Sequence, residues 1–537
     1  MSAILQLTIS RGQRIASRWR NPIALAATAP PWLPGLLLAL ALTAPAWLLF
    51  LHPNLNLWKP YDGSIHLVRS YSLQQHIANG DWYPRWFSEH YGGYGYPYLN
   101  FYAPASYYLT VLLASLLPGV GIYGGLQLAG IIGVLGMISG VYALGWQLWR
   151  HGPAALFAAA IVAYAPHPLP INLFLRAAVP ETLGLGLLAW LLVGCTGLWL
   201  AAVEGRRLTP WWWFTGAITV ALLLTHNISS ILGAFIAPTW VGCLWLWRPH
   251  RRALLLLGGA ALGAALLTIF FWFPALTETK LVQVERIHHG HVDYRHWFLT
   301  WPGYHSPHWG LQERSLKTRG FPVDLHLIYP HPLHGPPPLS LWQGVLFLGA
   351  FFALTATLLR RMRSAALNRL PTSPQQLRLI VLTSGFGLIL ALACYSQSFD
   401  WALPLRERQP PLRPIQFPYR LLAPAGYGIG LAAGGALALW VAQNRRAWVA
   451  ISLAAVGLGV AGVGGYFTPL LPEAPHQYGP FIPLESEFSR VVTPDPNRLY
   501  VSTGEFLPKT AHRTTWHEDE ARGFWLYERM FPEAAWL

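Results

Sequence analysis

The sequence predicts an all-α protein that crosses a membrane many times, with about eleven transmembrane helices plus one re-entrant or half helix. Three observations carry that expectation. Of 537 residues, 53% are hydrophobic and 11% charged, whereas about a quarter of a soluble domain is charged. Mean hydropathy is +0.35. Apolar runs of about 20 residues, the length that crosses a bilayer, recur along the chain with arginines gathered in the links between them.

This composition excludes a globular enzyme held by one anchor. The formal charge of +15 does not imply nucleic acid, because no soluble face is large enough to carry a basic patch. The three cysteines, Cys195, Cys243 and Cys394, lie inside apolar runs without metal-type spacing. A disulfide framework and a zinc ribbon are therefore not expected.

Residues 1–32 read as a basic, amphipathic, cytoplasmic N-terminus containing Arg11, Arg14, Arg18 and Arg20. The apolar run 33–51 lacks a small-x-small cleavage site, so it reads as a retained signal-anchor. Further spans are expected at 122–149, 153–171, 182–203, 211–226, 230–247, 253–275, 339–359, 378–395, 421–441 and 447–468. The stretch 103–118 is apolar but short and bounded by prolines.

Basic clusters decide how that stretch lies. Arg150-His151, Arg206-Arg207, Arg248 to Arg252, Arg360 to Arg363 and Arg445-Arg446 belong on the cytoplasmic side by the positive-inside bias. All of them land there only if 103–118 turns back to the face it came from. The N-terminus is then cytoplasmic and the C-terminus outside, in the inner (plasma) membrane. The chain divides into a first transmembrane module (33–275) with an outer loop at 52–102, an outer histidine-rich loop (276–338), C-terminal transmembrane helices (339–468) and an outer tail (469–537).

On this topology the informative segments share the outer face. Loop 52–102 sets Asp62, His66, Arg69, Asp81, Arg85, Glu89 and His90 among tyrosines, tryptophans and glycines. Asp62 and His66, spaced i and i+4, share a helix face. The pair suits a general base, a cation ligand or a plain capping pair, since Pro60-Tyr61-Asp62-Gly63 also reads as a helix start. The aromatic run ending at Tyr102 fits an interfacial belt and also a stacking surface for sugar rings. Arg85 within it suits a phosphate, which a belt does not require.

In NLFLRAAVPETL, Pro180 and Glu181 open the next span, and Arg176 is placed to pair with Glu181 as a structural ion pair or part of a site. His226 in the THN break reads either as a satisfied core histidine or as a site residue. The histidines of 276–338 lack a metal-ligand spacing and read as interfacial. In RERQPPLRPIQFPYRLL, Arg408, Gln416 and Arg420 stand at the outer face, with Arg406 and Arg413, against the positive-inside bias. An anionic lipid headgroup or a pyrophosphate accounts for arginines there.

In their order along the chain, DGSIH, LVRSYSLQQHIANGDWYPRW, GGYGYP, FYAP, RAAVPETL, THN and IQFPYRLL, with YVSTGEFLP at 500–508, resemble bacterial membrane proteins labelled 6-pyruvoyl-tetrahydropterin synthase-related. That family is similar in turn to the type C (GT-C) glycosyltransferases, which use polyprenyl-phosphate-linked sugars. Pterin chemistry is not expected, because the sequence has no soluble domain to host a zinc trihistidine site.

The resemblance implies a GT-C-like fold and an inverting sugar transfer on the outer face. The acidic residue of the first outer loop, here Asp62, is the implied base, with His66 orienting it or the acceptor. Beside the resemblance, the reading of the residues themselves makes Arg85, Tyr102, Arg176, Glu181, His226, Arg408, Gln416 and Arg420 the expected substrate-binding residues. Implied partners are membrane lipid, a polyprenyl-phosphate sugar donor, and a glycan, lipid or protein acceptor. Type C loops often carry two adjacent acidic residues, whereas Gly63 follows Asp62 here. A divalent cation, Mg or Mn, is thus a candidate cofactor left unassigned. The alternatives are a lipid or polysaccharide transporter or flippase, and a non-catalytic scaffold of an envelope complex acting through the tail.

Overall fold

A computed structural model describes residues 32–48, 50, 62–90, 95–165, 167–285, 294–296, 298, 346–356, 373–408, 415, 417–441 and 509. Among them the protein is helical, and extended pairing is limited to one bridge between Phe87 and Tyr96.

The helices follow the apolar runs. Loop 52–102 contributes α2 (Gly63–Ala78), and the first run forms α1 (Leu33–Leu48). The central bundle consists of α4 (Gly121–Trp149), α5 (Gly152–Ala163), α6 (Val179–Val203), α7 (Thr209–Thr225), α8 (Asn227–Trp247), α9 (Arg251–Leu267) and α10 (Ile269–Thr277), preceded by α3 (Ala105–Leu116). The later helices are α11 (Leu346–Ala356), α12 (Pro374–Ser396) and α13 (Leu422–Val441).

Five helices among the described residues are long and apolar enough to cross a membrane, or up to seven if two bent pairs count as single spans. The expected eleven crossings exceed this number for identifiable reasons. Helices α1 and α7 have 16 and 17 residues. Only 346–356 of the expected span 339–359 is described, and 447–468 lies outside the described residues, as do Arg360 to Arg363 and Arg445-Arg446.

Small residues set the helix spacing. A Cβ on Gly133 of α4 would fall 2.8 Å from the Leu183 nitrogen of α6, and one on Gly186 would fall 2.7 Å from the Gly133 carbonyl oxygen. Backbone therefore meets backbone, which is how helices gain packing contact where lipid supplies no hydrophobic drive. The same holds between α12 and α13, where a Cβ on Gly387 or Gly428 would lie 2.5 Å from the other's carbonyl oxygen.

Helix α3 has 12 residues, about 18 Å long and short of the roughly 30 Å hydrocarbon core. It lies on the first turns of α4, where a Cβ on Gly125 would fall 2.5 Å from the Thr110 carbonyl oxygen. Since Gly133 is already beside the start of α6, α3 and the first turns of α4 both stay at that end of the bundle. The stretch 103–118 thus behaves as the expected half helix and leaves the crossing to α4.

Two spans are broken. Between α5 and Arg176 the chain forms a π-helix, His167–Leu175, bent 49° from α5, and α9 meets α10 at 70°. The first break delivers Arg176 to the start of α6. Of the histidine-rich loop, Tyr294 and Phe298 pack with Ala402, and of the tail only Lys509 is described, its N–H donating to the Leu281 carbonyl at 2.9 Å.

Candidate functional site

Asp62 stands at the position before α2, as the cap-like sequence suggests, but its side chain makes no capping hydrogen bond. The carboxylate instead reaches across 114 residues of chain to Arg176, whose Nη2 donates to Oδ2 at 2.6 Å. A second tie fixes the same pair: the Asp62 N–H donates to the Arg176 carbonyl at 2.8 Å.

Arg176 is held from behind. Its Nη1 donates to Asn172 Oδ1 at 2.9 Å and to Glu181 Oε2 at 3.0 Å. Asn172 in turn donates to Thr182 Oγ1 at 3.1 Å, so the π-helix and the first turn of α6 are knitted together. The turn between them passes through Ala177 at φ 51°, the left-handed region that disfavours a Cβ. Pro180 sits in the first turn of α6, where its missing N–H costs nothing, and Glu181 sits beside it against the positive end of the helix.

Glu181 also meets Arg420, from a single 3₁₀ turn (Pro418–Leu421) that opens α13. Arg420 Nε lies 3.1 Å from Glu181 Oε2. The N–H is not aimed along that vector, so the contact is Coulombic attraction without a directional hydrogen bond. Phe417 lies beneath both guanidinium groups, with the Arg176 and Arg420 carbons 5.4 and 4.8 Å from its ring centre.

Two carboxylates and two guanidinium groups from distant stretches of chain thus meet in one cluster. Buried charge is tolerated when it is paired in this way. Exposure separates the members: the Asp62 side chain is 25% exposed, against 6% for Arg176, 4% for Glu181 and 6% for Arg420. Asp62 is the open end, and its hydrogen bond to Arg176 occupies only Oδ2.

Next to the cluster, α2 presents His66 and Arg69 to an aromatic wall. Tyr107 Oη accepts from Arg69 Nη1 at 3.2 Å and lies 3.1 Å from His66 Nδ1. The Tyr107 hydroxyl thus bridges His66 and Arg69. Burial holds the His66 imidazole down to about 3, opposed by Asp62 and reinforced by Arg69, His226 and Arg176. His66 is therefore a neutral ring bound to tyrosine. The carboxylate of Asp62 is oriented by Arg176, where the sequence pointed to His66.

Arg69 is sandwiched by Tyr98 and Tyr102, 5.0 and 5.2 Å from their ring centres. Tyr102 also lies 6.3 Å from the His66 ring and 6.2 Å from His226. His226 caps α8, with Nδ1 accepting from the Ser229 N–H at 3.2 Å and lying 2.8 Å from Ser229 Oγ. His226 is thus a satisfied capping residue whose ring lies beside Tyr102.

The neighbouring Asn227 clamps the FYAP segment. Its Nδ2 donates to the Phe101 carbonyl at 2.7 Å, and its Oδ1 accepts from the Ala103 N–H at 3.1 Å. Arg69, Tyr107, Asn172, Phe417 and Asn227 touch these residues without belonging to the expected set. For Arg69 a signal existed: it sits i+3 from His66.

Other expected residues stand apart. Arg85 is exposed, lies 5.5 Å from the ring centre of Tyr83, and comes after the far end of α2, about 24 Å of helix from Asp62. Arg408 is exposed at the end of a short helix, Leu403–Glu407. Gln416 lies outside the described residues. Arg406, whose Nη2 donates to the Ile415 carbonyl, is fully buried under Tyr294 and Phe298.

A divalent cation does not fit the described donor set. Among the described residues no group of three or more His, Cys, Asp or Glu side chains can hold a metal ion. The cation on Asp62 is the Arg176 guanidinium.

No family model and no curated protein matches the chain, so the resemblance to the pterin synthase-related proteins rests on its motifs alone. Among solved structures, the Archaeoglobus fulgidus oligosaccharyltransferase in its apo form is 14% identical, with a TM-score of 0.47, over 90% of this chain and 63% of that one. This chain thus spans less than two thirds of that protein's length. ArnT from Cupriavidus metallidurans in the apo state is 16% identical, with a TM-score of 0.32, over 80% of this chain and 77% of that one. Both are loose likenesses of shape.

Proposed function

We propose that the chain is an integral membrane glycosyltransferase of GT-C type that transfers a sugar from a polyprenyl-phosphate donor to an envelope acceptor, with inversion, at the outer face of the plasma membrane. One observation carries the reading: Asp62 is the accessible member of an otherwise buried cluster of two carboxylates and two guanidinium groups. In the transfer, an acceptor hydroxyl oxygen bonds to the anomeric carbon, and the bond from that carbon to the phosphate oxygen breaks with its electron pair.

The hydroxyl proton passes to Asp62, through the oxygen that Arg176 leaves unoccupied. The phosphate departs with one more negative charge, which Arg420 and Arg176 offset. Neutral His66, Tyr102 and Tyr107 supply a polar aromatic wall for the sugars, and Glu181 keeps both arginines in place. The N-terminus and the basic links lie in the cytoplasm and the C-terminus outside. Arg85 and Arg408, away from the cluster, act on the entering substrate.

A second reading, a lipid transporter, is favoured by one observation: the π-helical break brings ionisable groups to a broken span, as transporters do. Purified protein given a radiolabelled polyprenyl-phosphate sugar and acceptor separates the two. Turnover that disappears in Asp62→Asn supports the transferase. Lipid movement without turnover supports the transporter, and full turnover in Asp62→Asn removes Asp62 as the base. Neither turnover nor movement leaves a scaffold.

A further inference from the structure

The π-helix opens on a histidine that the scheme above does not use. His167 is fully buried, and neither ring nitrogen has a hydrogen-bond partner among the described residues. Its ring lies 5.8 Å from that of Tyr419, the residue before Arg420. Arg420 is itself buried, and its Nη1 has no hydrogen-bond partner among the described residues, while its Nε is drawn to Glu181 without pointing at it. The charges acting on the His167 ring are those of Glu181, Arg176 and Arg420.

Buried polar groups are nearly always paired, and each exception needs an account. Here two exceptions stand on different elements that meet where the His167 ring faces that of Tyr419, and they differ in kind. A guanidinium only donates, and a neutral imidazole donates from one nitrogen. The missing partner is therefore an acceptor that can take several N–H groups at once. Glu181 Oε2 already serves Arg176 Nη1 at 3.0 Å and lies 3.1 Å from Arg420 Nε. An acceptor with several oxygens and negative charge matches these donors best, and a phosphate has both properties.

We infer that His167 and Arg420 form the floor of a phosphate site between the π-helix and the 3₁₀ turn, in which one His167 N–H and the free Arg420 Nη1 bind phosphoryl oxygens. The inference rests on the transferase reading for its choice of a lipid phosphate and adds His167 as a binding residue. No bond is made or broken at His167. It donates a hydrogen bond to the phosphate before and after transfer. The position at the break is in keeping with a binding role, because π-helical segments are rare and frequent at functional sites.

The test is direct binding of farnesyl phosphate to the purified full-length protein, with farnesol and inorganic phosphate as separate arms, and with ³¹P NMR of the bound phosphate as a second readout. Wild type is expected to bind farnesyl phosphate and not farnesol. His167→Leu is expected to weaken binding roughly 10- to 100-fold, the effect of one hydrogen bond to a charged group. His167→Gln or His167→Asn, which restores an N–H, is expected to recover most of it and to return the ³¹P shift toward the wild-type position.

A His167 dependence confined to farnesyl phosphate supports the site and assigns it to lipid, whereas the same dependence with inorganic phosphate supports the site and assigns it to free phosphate. Equal affinity of wild type and His167→Leu for both, with folding verified by matching elution in detergent, overturns it. Failure here is distinguishable from failure of the transferase reading. Wild type that binds farnesyl phosphate but transfers no sugar loses the reading and keeps the site, and wild type that transfers sugar while His167→Leu binds normally keeps the reading and loses the site.

Discussion

The two ends of the helical bundle solve one problem in opposite ways. Helix ends leave backbone carbonyls and N–H groups unpaired, and at each end something must take them. Glu181 near one end of α6 and Trp199 near the other stand about 27 Å apart, close to the thickness of a hydrocarbon core. At the Trp199 end, neutral side chains close the backbone. Trp199 Nε1 donates to the Arg248 carbonyl at 3.1 Å, and Trp247 Nε1 donates to that of Gln375 at 3.0 Å.

Histidines cap there too, with His151 and His250 accepting from the Ala154 and Ala253 N–H groups at 3.2 Å each. Arginines are present, yet Arg206 pairs with Glu204 in the open, the two side chains being 46% and 44% exposed. At the Glu181 end the charges are buried. Among the described residues the Trp199 end holds no buried charged side chain, and this contrast supports the role proposed for the cluster at Asp62, Arg176, Glu181 and Arg420.

The largest contrast is expected in activity. Asp62→Asn should lower sugar transfer by about 10²- to 10⁴-fold in a labelled-donor assay, the range for a lost general base. Arg206→Gln at the other end should leave the rate unchanged. Comparable losses from both would dissolve the difference between the ends.

Stability gives the next contrast. Glu181→Gln leaves two buried guanidinium groups short of a countercharge and should destabilise the protein by about 3–5 kcal/mol in detergent unfolding. Glu204→Gln removes an exposed pair and should cost about 1 kcal/mol or less.

Acid should act through the polar end as well. Burial pushes the imidazoles of His66 and His90 down to about 3 in the folded chain, from an ordinary value of 6.5. The unfolded chain then binds more protons in that window, so stability rises with pH. The contribution of both residues is complete above about pH 6.5 and is lost as pH falls toward 3. Unfolding midpoints measured from pH 7 to 4 should fall, and less steeply in His66→Gln or His90→Gln. An unchanged slope in both variants would assign the acid response to other groups.

Smaller effects probe the neutral closures. Trp247→Phe loses one indole hydrogen bond and should cost about 1 kcal/mol in thermal unfolding with transfer intact. Ala177→Gly relieves a left-handed backbone and should change stability by about 1 kcal/mol or less in either direction, as relieved strain competes with added chain entropy.

Much of this arrangement can be read before any coordinates exist, and the legible part has a common character. Apolar runs announce helices because period and length are local properties. The charged residues Asp62, Arg176, Glu181 and Arg420 can be sorted to one end because arginine-rich links mark the other. What escapes is who touches whom. Asp62 and Arg176 are 114 residues apart, and no spacing rule connects them. The i, i+4 rule instead draws His66 toward Asp62, while tertiary packing gives its ring to Tyr107. The π-helix escapes for another reason: Pro168 and Pro170 in HPLPINLFL mark a break in the span but do not dictate a π-helical turn.

The contact of α4 with α6 has a consequence of its own. Where two backbones touch at Gly133 and Gly186, the depth of Glu181 is fixed by main chain, with no side chain to trim or grow. Loops at that end can then vary without shifting the charge cluster, while a single added methyl at Gly133 would push the opening turn of α6 away and disturb both arginines together.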